Sequence, residues 1–382
     1  MLSLIADCVI FILPYYDFAN KEYSLKQKIY ITRETAMFNN KSKKLLLASS
    51  LLVAASAANA GYDIKLSEED KVSFGGYIKV DARYVDGDVA YRPFWIGTGS
   101  KLGESASQLN LFANETRFNM KYTHGDVMGF IEMDFWGGEG NEIVSNSAHP
   151  RLRHAFIKYK DVLAGQTWST FMNTSAIPES ADFAGATTGL VFIRQGQVRY
   201  TSGNFQVSLE NPETWGGDTS NDNVPDIVAR YNVKGDWGSV SFSALGRQLN
   251  TTLGNSETAI AASIAGRIKT VGKDDFRFQI HQGELGRYVG VAFAKDVVGE
   301  QVEETTAYLA AYRHFWNETL RTTVLYGSAE ADVSGADRSQ WSINLFDNLT
   351  KQLSVGVEVG QFTMDDQDAD SNYAQLSLKY VL

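Results

Sequence analysis

The amino-acid sequence predicts an all-β fold: a transmembrane antiparallel β-barrel of about sixteen strands, with one constriction loop folded inward. Three observations predict it, namely an aromatic and proline-poor composition, apolar and polar residues that alternate along many short segments, and connections of two different lengths. The chain of 382 residues has 18 Tyr, 21 Phe and 7 Trp, and 33 Gly against 6 Pro. This balance favours strands, excludes a disordered chain, and is unlike a helical membrane protein with its long apolar runs.

Alternation with a period of two is clearest from Tyr77 to Tyr84, where every second residue is apolar and the intervening residues include Lys79, Asp81 and Arg83. Such a period is typical of a strand with two different faces. It returns in residues 115–122, 130–136, 205–210 and 276–282. A water-soluble β-sandwich also alternates in this way, so the alternation alone does not decide between the two folds.

The connections discriminate between a sandwich and a membrane barrel. Short turns are predicted at 123–126, 201–204, 233–236, 271–275 and 347–350, and long polar loops at 137–150, 211–224, 250–257, 327–339 and 363–371. Short turns at one end and long loops at the other are typical of an outer-membrane barrel. Lipid cannot satisfy a free sheet edge, so the sheet must close, and about sixteen strands leave an aqueous lumen.

The N-terminal sixty residues have the features of an export signal. A basic stretch, 37–44, precedes an apolar run, 45–58, and the small-x-small end Ala58-Asn59-Ala60, which predicts cleavage after Ala60. The alternative, a membrane anchor in residues 2–13, is too short and contains an aspartate. The predicted organisation is an upstream extension at 1–36, a signal peptide at 37–60, a short periplasmic segment at 61–73 and the barrel at 74–382, located in the cell outer membrane.

The cysteine content and the net charge of the exported part argue against some classes of function. The single cysteine, Cys8, lies in the predicted extension, so the exported part has no disulfide. Residues 61–382 contain 28 Lys and Arg against 41 Asp and Glu, a net charge of -13. An acidic exported chain argues against nucleic acid as a partner.

One long connection, residues 166–190, does not have the composition of a solvated loop. It contains Trp168, Phe171, Met172 and Phe183. Apolar side chains in this number would be costly in water, so the loop is predicted to fold inward and narrow the pore.

Seven arginines are predicted to face that pore. A charge facing lipid near the bilayer midplane costs about 2–4 kcal/mol, so a strand with Arg on one face turns that face to the lumen. Rings of Arg favour anions, and the guanidinium pairs with carboxylates in two-point geometry. The candidates are Arg83, Arg117, Arg151, Arg153, Arg194, Arg199 and Arg230, with Glu179, Asp182, Glu115, Glu132, Asp134 and Glu210 as opposing carboxylates. A lumen of purely structural salt bridges stays an open alternative.

Catalysis is not predicted. The exported part has five histidines, and none has a metal-ligand spacing or a clear serine and aspartate partner. The acidic tip 365–370 has the oxygen ligands that calcium prefers, although a solvated loop is the favoured interpretation. We therefore expect no enzyme activity and no cofactor. Two alternatives from other classes are an outer-membrane barrel hydrolase and a surface adhesin or receptor that uses its long loops.

Four stretches together resemble the DcaP-like porins of Gram-negative bacteria. They are Gly76-Tyr77-Ile78-Lys79-Val80-Asp81, Arg151-Leu152-Arg153-His154-Ala155-Phe156, Ala164-Gly165-Gln166-Thr167-Trp168-Ser169-Thr170-Phe171, and Phe192-Ile193-Arg194-Gln195 running to Val198-Arg199-Tyr200. The resemblance implies a sixteen-stranded outer-membrane channel, usually a homotrimer, that passes small anionic solutes such as dicarboxylates. It places constriction arginines at Arg153, Arg194 and Arg199. Members of the family often have a longer N-terminal segment of coiled-coil character, of which only Gly61 to Ser73 would remain here.

Overall fold

The structure, a computed structural model, describes residues 61–90, 99–138, 145, 147–183, 188–290 and 292–382. The predicted extension and signal peptide lie outside these residues.

Sixteen antiparallel wall strands follow one another in chain order, and the last pairs with the first to close the barrel. The strands are β1 (Asp70–Val89), β2 (Lys101–Phe112 and Arg117–His124), β3 (Val127–Asp134), β4 (Arg151–Tyr159), β5 (Val162–Trp168), β6 (Arg194–Ser202), β7 (Phe205–Glu210), β8 (Asp226–Gly235), β9 (Gly238–Asn250), β10 (Ser256–Lys269), β11 (Asp275–Gly283), β12 (Thr305–Phe315), β13 (Arg321–Ala331), β14 (Asp337–Asn348), β15 (Leu353–Met364) and β16 (Ala369–Val381). The predicted fold and strand number are confirmed.

Strand β1 is the longest and makes four pairings. Residues 77–87 of β1 pair with β16, and residues 81–89 pair with the first segment of β2. Residues 70–77 pair with the second segment of β2. A short N-terminal strand, Tyr62–Lys65, pairs with residues 71–74 of β1. Because pairing starts at Asp70, the wall begins four residues earlier than the predicted boundary at residue 74.

The two faces of the wall differ as the alternation predicts. On β1 the side chain of Val80 is 47% exposed, whereas that of Asp81 is buried. On β16, Leu378 faces outward and Ser377 is buried. The outer face is therefore an apolar surface suited to lipid, and the inner face is polar. In the described part of the chain the only helices are single 3-10 turns, and no helix is long and apolar enough to cross a membrane.

The connections confirm the two-ended arrangement but correct the boundaries of two loops and add one long connection. The predicted loop 327–339 shrinks to residues 332–336, because β13 continues to Ala331 with the small residues Gly327, Ala329 and Ala331 on its buried face. The predicted loop 363–371 likewise shrinks to residues 365–368. A long connection that the sequence analysis did not predict, residues 284–304 between β11 and β12, also folds into the barrel.

Two loops thus enter the lumen. The constriction loop, residues 169–193, links β5 to β6, and the second inward loop is residues 284–304. Their apolar side chains meet wall residues near the long-loop ends of the strands, as in the contacts among Phe171, Tyr288 and Val228. This apolar cluster occupies the lumen on the side of β8–β16, so the interior is asymmetric.

Candidate functional site

The constriction loop runs around the inside of the wall and is fixed to it by hydrogen bonds. Near its start, Asn173 donates from Nδ2 to Oγ of Ser241 (2.8 Å) and to the carbonyl of Ala265 (3.0 Å). Asn173 also caps the 3-10 turn Thr174–Ala176. Further along, Gln279 donates from Nε2 to the carbonyl of Ala176 (3.2 Å). Strands β9, β10 and β11 each bind the first part of the loop, so this part of the loop has a defined path.

Two predicted acidic residues anchor the middle of this loop. Glu179 accepts two hydrogen bonds of 2.7 Å from Arg321, and Arg313 lies 3.7 Å away. Asp182 pairs with Arg83 at 2.9 Å, and both side chains are buried. Arg83 and Asp182 were predicted to face a constriction, and the structure places them in an anchor between loop and wall instead.

The carboxylate of Glu358 provides a third anchor, which the sequence analysis missed. It accepts hydrogen bonds from the hydroxyl of Ser180 (2.9 Å), the backbone N–H of Ala181 (2.8 Å) and the hydroxyl of Tyr373 (3.0 Å). A buried carboxylate with several donors is well stabilised. It therefore holds the backbone of the loop close to β15.

The second inward loop is joined to the constriction loop by a short β-bridge between Val191 and Val289. The backbone N–H of Phe192 donates to the carbonyl of Tyr288 (3.0 Å), and that of Gly290 donates to the carbonyl of Leu190 (2.9 Å). The two loops therefore behave as one packed element.

A buried polar network fixes the second inward loop to the wall. Arg247 of β9 pairs with Asp296 of the loop and, at 3.3 Å, with Asp226 of β8. The hydroxyl of Tyr288 donates to Asp226 at 2.8 Å. Arg287 donates to Asp226 at 3.1 Å. With two arginines and two carboxylates, this network is formally neutral and leaves no charge for a solute.

A different arrangement occurs on β3 and β4, where predicted pore residues converge. Arg151 makes a two-point contact with Asp134 (3.0 and 2.7 Å). Arg153 bridges Glu132 and Asp134, both at 2.8 Å. The ring of Phe183, from the constriction loop, lies 5.7 Å from the guanidinium of Arg153. The tip of the loop thus faces this group of charges.

Arg194, the first residue of β6, completes the group. Its guanidinium lies 4.6 Å from the ring centroid of Trp168 and 5.7 Å from that of Phe192. The guanidinium of Arg153 lies 5.8 Å from the centroid of the same Trp168 ring, and the charges of Arg151, Arg117 and the opposing Asp134 also act on Arg194. Among the described residues no carboxylate lies within 4 Å of it, and its Nη1 is buried without a hydrogen-bond partner. Arg117, Arg151, Arg153 and Arg194 are called the arginine cluster below.

The other two predicted arginines bind neutral groups. Arg199 donates from Nε to the side-chain oxygen of Gln197 (3.0 Å) and contacts the carbonyl of Trp168. Arg230 contacts the carbonyl of Met172 and the side chain of Gln206. Both hold the first residues of the constriction loop, which gives them a positioning role.

A cavity of about 780 Å³ lies between the constriction loop and the short turns. Arg117 and Arg153 line it, as do Trp168, Glu179 and the turn residue Lys351. Its lining has six basic side chains against three acidic ones. The cavity is therefore a positively charged vestibule on the periplasmic side of the loop.

The structure thus divides the predicted site residues into four groups, one of which is the pair Arg199 and Arg230 described above. Arg117, Arg151, Arg153 and Arg194 lie together, Arg83 and Asp182 pair elsewhere, and Glu179 anchors the loop. Residues that the sequence analysis missed include Arg247, Arg287, Arg313 and Arg321, each on or near an inward face. Their alternation on β9, β12 and β13 was a signal that could have found three of them. That the arginine cluster selects solutes stays a prediction.

No metal site is assembled in the described part of the chain. There, no group of three His, Cys, Asp or Glu side chains is placed to hold a metal ion. The ring of His281 contacts Gln279 (3.1 Å), and that of His154 contacts Thr167 (3.0 Å). His314 contacts Asp274 at 2.7 Å in a periplasmic turn. None of these three contacts is a histidine–serine pair.

Comparison with known proteins agrees with this architecture. The sequence profile of the DcaP outer membrane protein family matches residues 17–359, so the match begins inside the predicted extension, whose assignment stays a prediction. The crystal structure of the outer membrane channel DcaP of Acinetobacter baumannii is similar, with a TM-score of 0.71, 23% identity, and coverage of 84% of this chain and 99% of that chain.

Two further porins share the fold at lower similarity. The anion-selective porin from Comamonas acidovorans has a TM-score of 0.56 and 13% identity over 82% of this chain and 100% of that chain. OmpF of Salmonella typhi, in complex with daunomycin, has a TM-score of 0.56 and 13% identity over 84% and 100%. Comparison with curated protein sequences found no match. The chain is an outer-membrane β-barrel of porin fold and belongs to the DcaP outer membrane protein family.

Proposed function

We propose that the protein is a passive diffusion channel that prefers anions and passes small negatively charged solutes such as dicarboxylates. The single observation that carries this proposal is the position of Arg194. Its charge lies over Trp168 with no carboxylate within 4 Å among the described residues. Its charge is therefore not paired with a carboxylate of the described wall, and we propose that a passing solute carboxylate is attracted to it.

The charge of the arginine cluster supports the same proposal. Four guanidinium groups face the two carboxylates of Glu132 and Asp134. Two positive charges therefore remain in a site whose low-dielectric walls strengthen the field. The net charge of -13 on residues 61–382 does not oppose this, because local charges set the potential at a narrow site.

The route through the barrel follows from the asymmetry of the lumen. On the side of β8–β16 the two inward loops pack an apolar cluster against the wall. On the side of β3–β6 the constriction loop faces charged side chains instead. We propose that solutes pass on this second side, past the arginine cluster and into the vestibule. Binding must be weak enough for the solute to leave again.

We also propose a homotrimer in the outer membrane, with the lipid-facing strands of one wall buried between subunits. This follows the resemblance to the DcaP-like porins and the preference of oligomers for closed cyclic symmetry. Crosslinking in outer-membrane vesicles tests it, with a trimer band as the expected result. A protein that migrates only as a monomer after crosslinking contradicts it.

The reversal potential in a planar bilayer under a salt gradient tests the anion preference. The chain starting at Gly61 should show a reversal potential of the sign expected for anions, and Arg194→Gln should reduce it. Lys160→Gln is the matched control, because it removes one positive charge from a periplasmic turn outside the vestibule lining. Cation preference in the unaltered protein contradicts the proposal.

A further inference from the structure

The vestibule has a second basic corner, on β1, β2 and β16, that shares only Arg117 with the arginine cluster. In the registers, Tyr77 of β1 lies opposite Arg117 of β2, and Lys79 of β1 lies opposite Lys379 of β16. All four side chains line the cavity, together with Glu115. Three positive charges and one negative charge are therefore close together.

The carboxylate of Glu115 is already used by its neighbours. One oxygen accepts from the hydroxyl of Tyr77 (2.9 Å), and the other contacts Nζ of Lys79. Lys79 also donates to the carbonyl of Ala181 (2.7 Å), which belongs to the constriction loop. Lys79 and Glu115 are thus a structural pair that holds the loop.

Lys379 has no such partner. Its Nζ lies 4.1 Å from the ring centroid of Tyr77, and among the described residues no carboxylate is within 4 Å of it. The guanidinium of Arg117 lies 5.0 Å from the centroid of the same ring and 3.6 Å from Glu132. The phenol ring therefore has two cations against it, a contact that stabilises each cation without cancelling its charge.

We infer that Lys379 and Arg117, placed on the ring of Tyr77, form a second anion-binding site, joined to the arginine cluster through Arg117, that takes one carboxylate group at the periplasmic end of the channel. This inference rests on the proposed function and extends it. The cavity that holds the site continues to the turn residues Thr350–Gln352, on the side where the solute leaves. A solute released from the arginine cluster would meet this second site, and conduction is favoured by several weak sites in series.

Block of chloride current by succinate, added on the periplasmic side, tests the site. Lys379→Gln should raise the half-blocking concentration about tenfold, because a hydrogen bond to a charged group is lost. Lys379→Arg keeps the charge and should retain block within about twofold. Lys351→Gln is the matched control, because this exposed turn residue lines the same cavity. Heat-modifiable migration on gels shows that each variant is folded.

The possible outcomes separate this site from the proposed function. Equal block in Lys379→Gln and the unaltered protein, or no block at all, overturns the site. An equal loss of succinate block in Lys379→Gln and Lys351→Gln also overturns the site. The block would then depend on the overall positive potential of the vestibule and not on a defined site. If the unaltered channel prefers cations but Lys379→Gln still weakens succinate block, the site stands and the proposed function fails.

Discussion

The guanidinium of Arg194 lies 4.6 Å from the ring centroid of Trp168, its partner in the register between β5 and β6. Trp168 is the last residue of β5 and Arg194 is the first of β6, so this contact closes the base of the constriction loop. A cation on an indole face gains about 0.5–2 kcal/mol, depending on its desolvation. The contact therefore holds the arginine in place while leaving its charge available to a solute.

Changing Trp168 to Leu should weaken anion preference even though no charge is removed. Without the indole face Arg194 loses its fixed position, so the reversal potential should move part of the way toward that of Arg194→Gln. Trp341→Leu is the matched control, because Trp341 is 43% exposed on the outer face of β14. A reversal potential unchanged in Trp168→Leu would show that the stack does not position the charge.

Changing Glu132 to Gln should strengthen anion preference. Glu132 partly neutralises Arg153 at 2.8 Å and Arg117 at 3.6 Å, and the amide keeps a hydrogen-bond acceptor for them. The reversal potential should therefore move further toward the chloride limit. Glu257→Gln is the control, because Glu257 is exposed near the long-loop end of β10. A shift toward cations would contradict the assignment of this cluster to the pore.

Changing Asp296 to Ala should loosen the second inward loop. The substitution leaves Arg247 with Asp226 as its one carboxylate partner among the described residues and removes the acceptor for the backbone N–H of Trp215 (2.8 Å). Removing one partner of a buried ion pair costs about 3–5 kcal/mol. The second inward loop supports the constriction loop through the β-bridge between Val289 and Val191. Single-channel records of the variant should therefore show more frequent conductance steps.

The control for this change is Asp332→Ala. Asp332 is an exposed residue of the 332–336 loop, and its substitution should leave the records unchanged. Quiet, constant conductance in Asp296→Ala would mean that the constriction loop keeps its position without the second inward loop.

Acid should weaken the turn between β10 and β11 only below the usual carboxyl range. Asp274 accepts from the backbone N–H of Phe315 (2.8 Å) and contacts His314 (2.7 Å). These contacts lower the pKa of Asp274 below its usual value of 3.8, and the backbone hydrogen bond from Phe315 has the largest effect. The stabilisation is therefore fully present above that value and is lost as the pH falls through the lowered pKa.

Hydrogen exchange of the Phe315 amide measures this effect. Protection should stay constant from neutral pH down to the usual carboxyl range and fall below it. In Asp274→Asn the protection should be lower and independent of acid. A loss of protection that begins well above the usual carboxyl range would contradict the assignment of the effect to Asp274.

Much of the fold could be predicted because apolar and polar residues alternate along each strand and so identify its two faces from the local sequence alone. The period of two places Arg83 and Arg117 inside the barrel without any knowledge of distant residues. The partner of each arginine could not be predicted in this way. Arg83 pairs with Asp182, 99 residues away, and Arg321 pairs with Glu179, 142 residues away. Such pairs depend on the path of the constriction loop, which alternation does not encode.

The second inward loop was missed for a related reason. Its apolar residues Leu285, Tyr288, Val289 and Phe293 are interspersed with charged and small ones, so the segment has no regular period. Only the three-dimensional contacts with Phe171 and Val191 show that it is buried. Apolar side chains concentrated in a connection between two strands were the available signal, as they were for the constriction loop.

The most direct test of the account is the reversal potential of three proteins under one salt gradient: the unaltered chain from Gly61, Arg194→Gln and Arg194→Lys. The account predicts anion preference in the unaltered chain, a clear reduction in Arg194→Gln and recovery of most of it in Arg194→Lys. Equal reversal potentials in all three, or cation preference in the unaltered chain, would contradict the claim that the uncompensated charge of Arg194 selects anions.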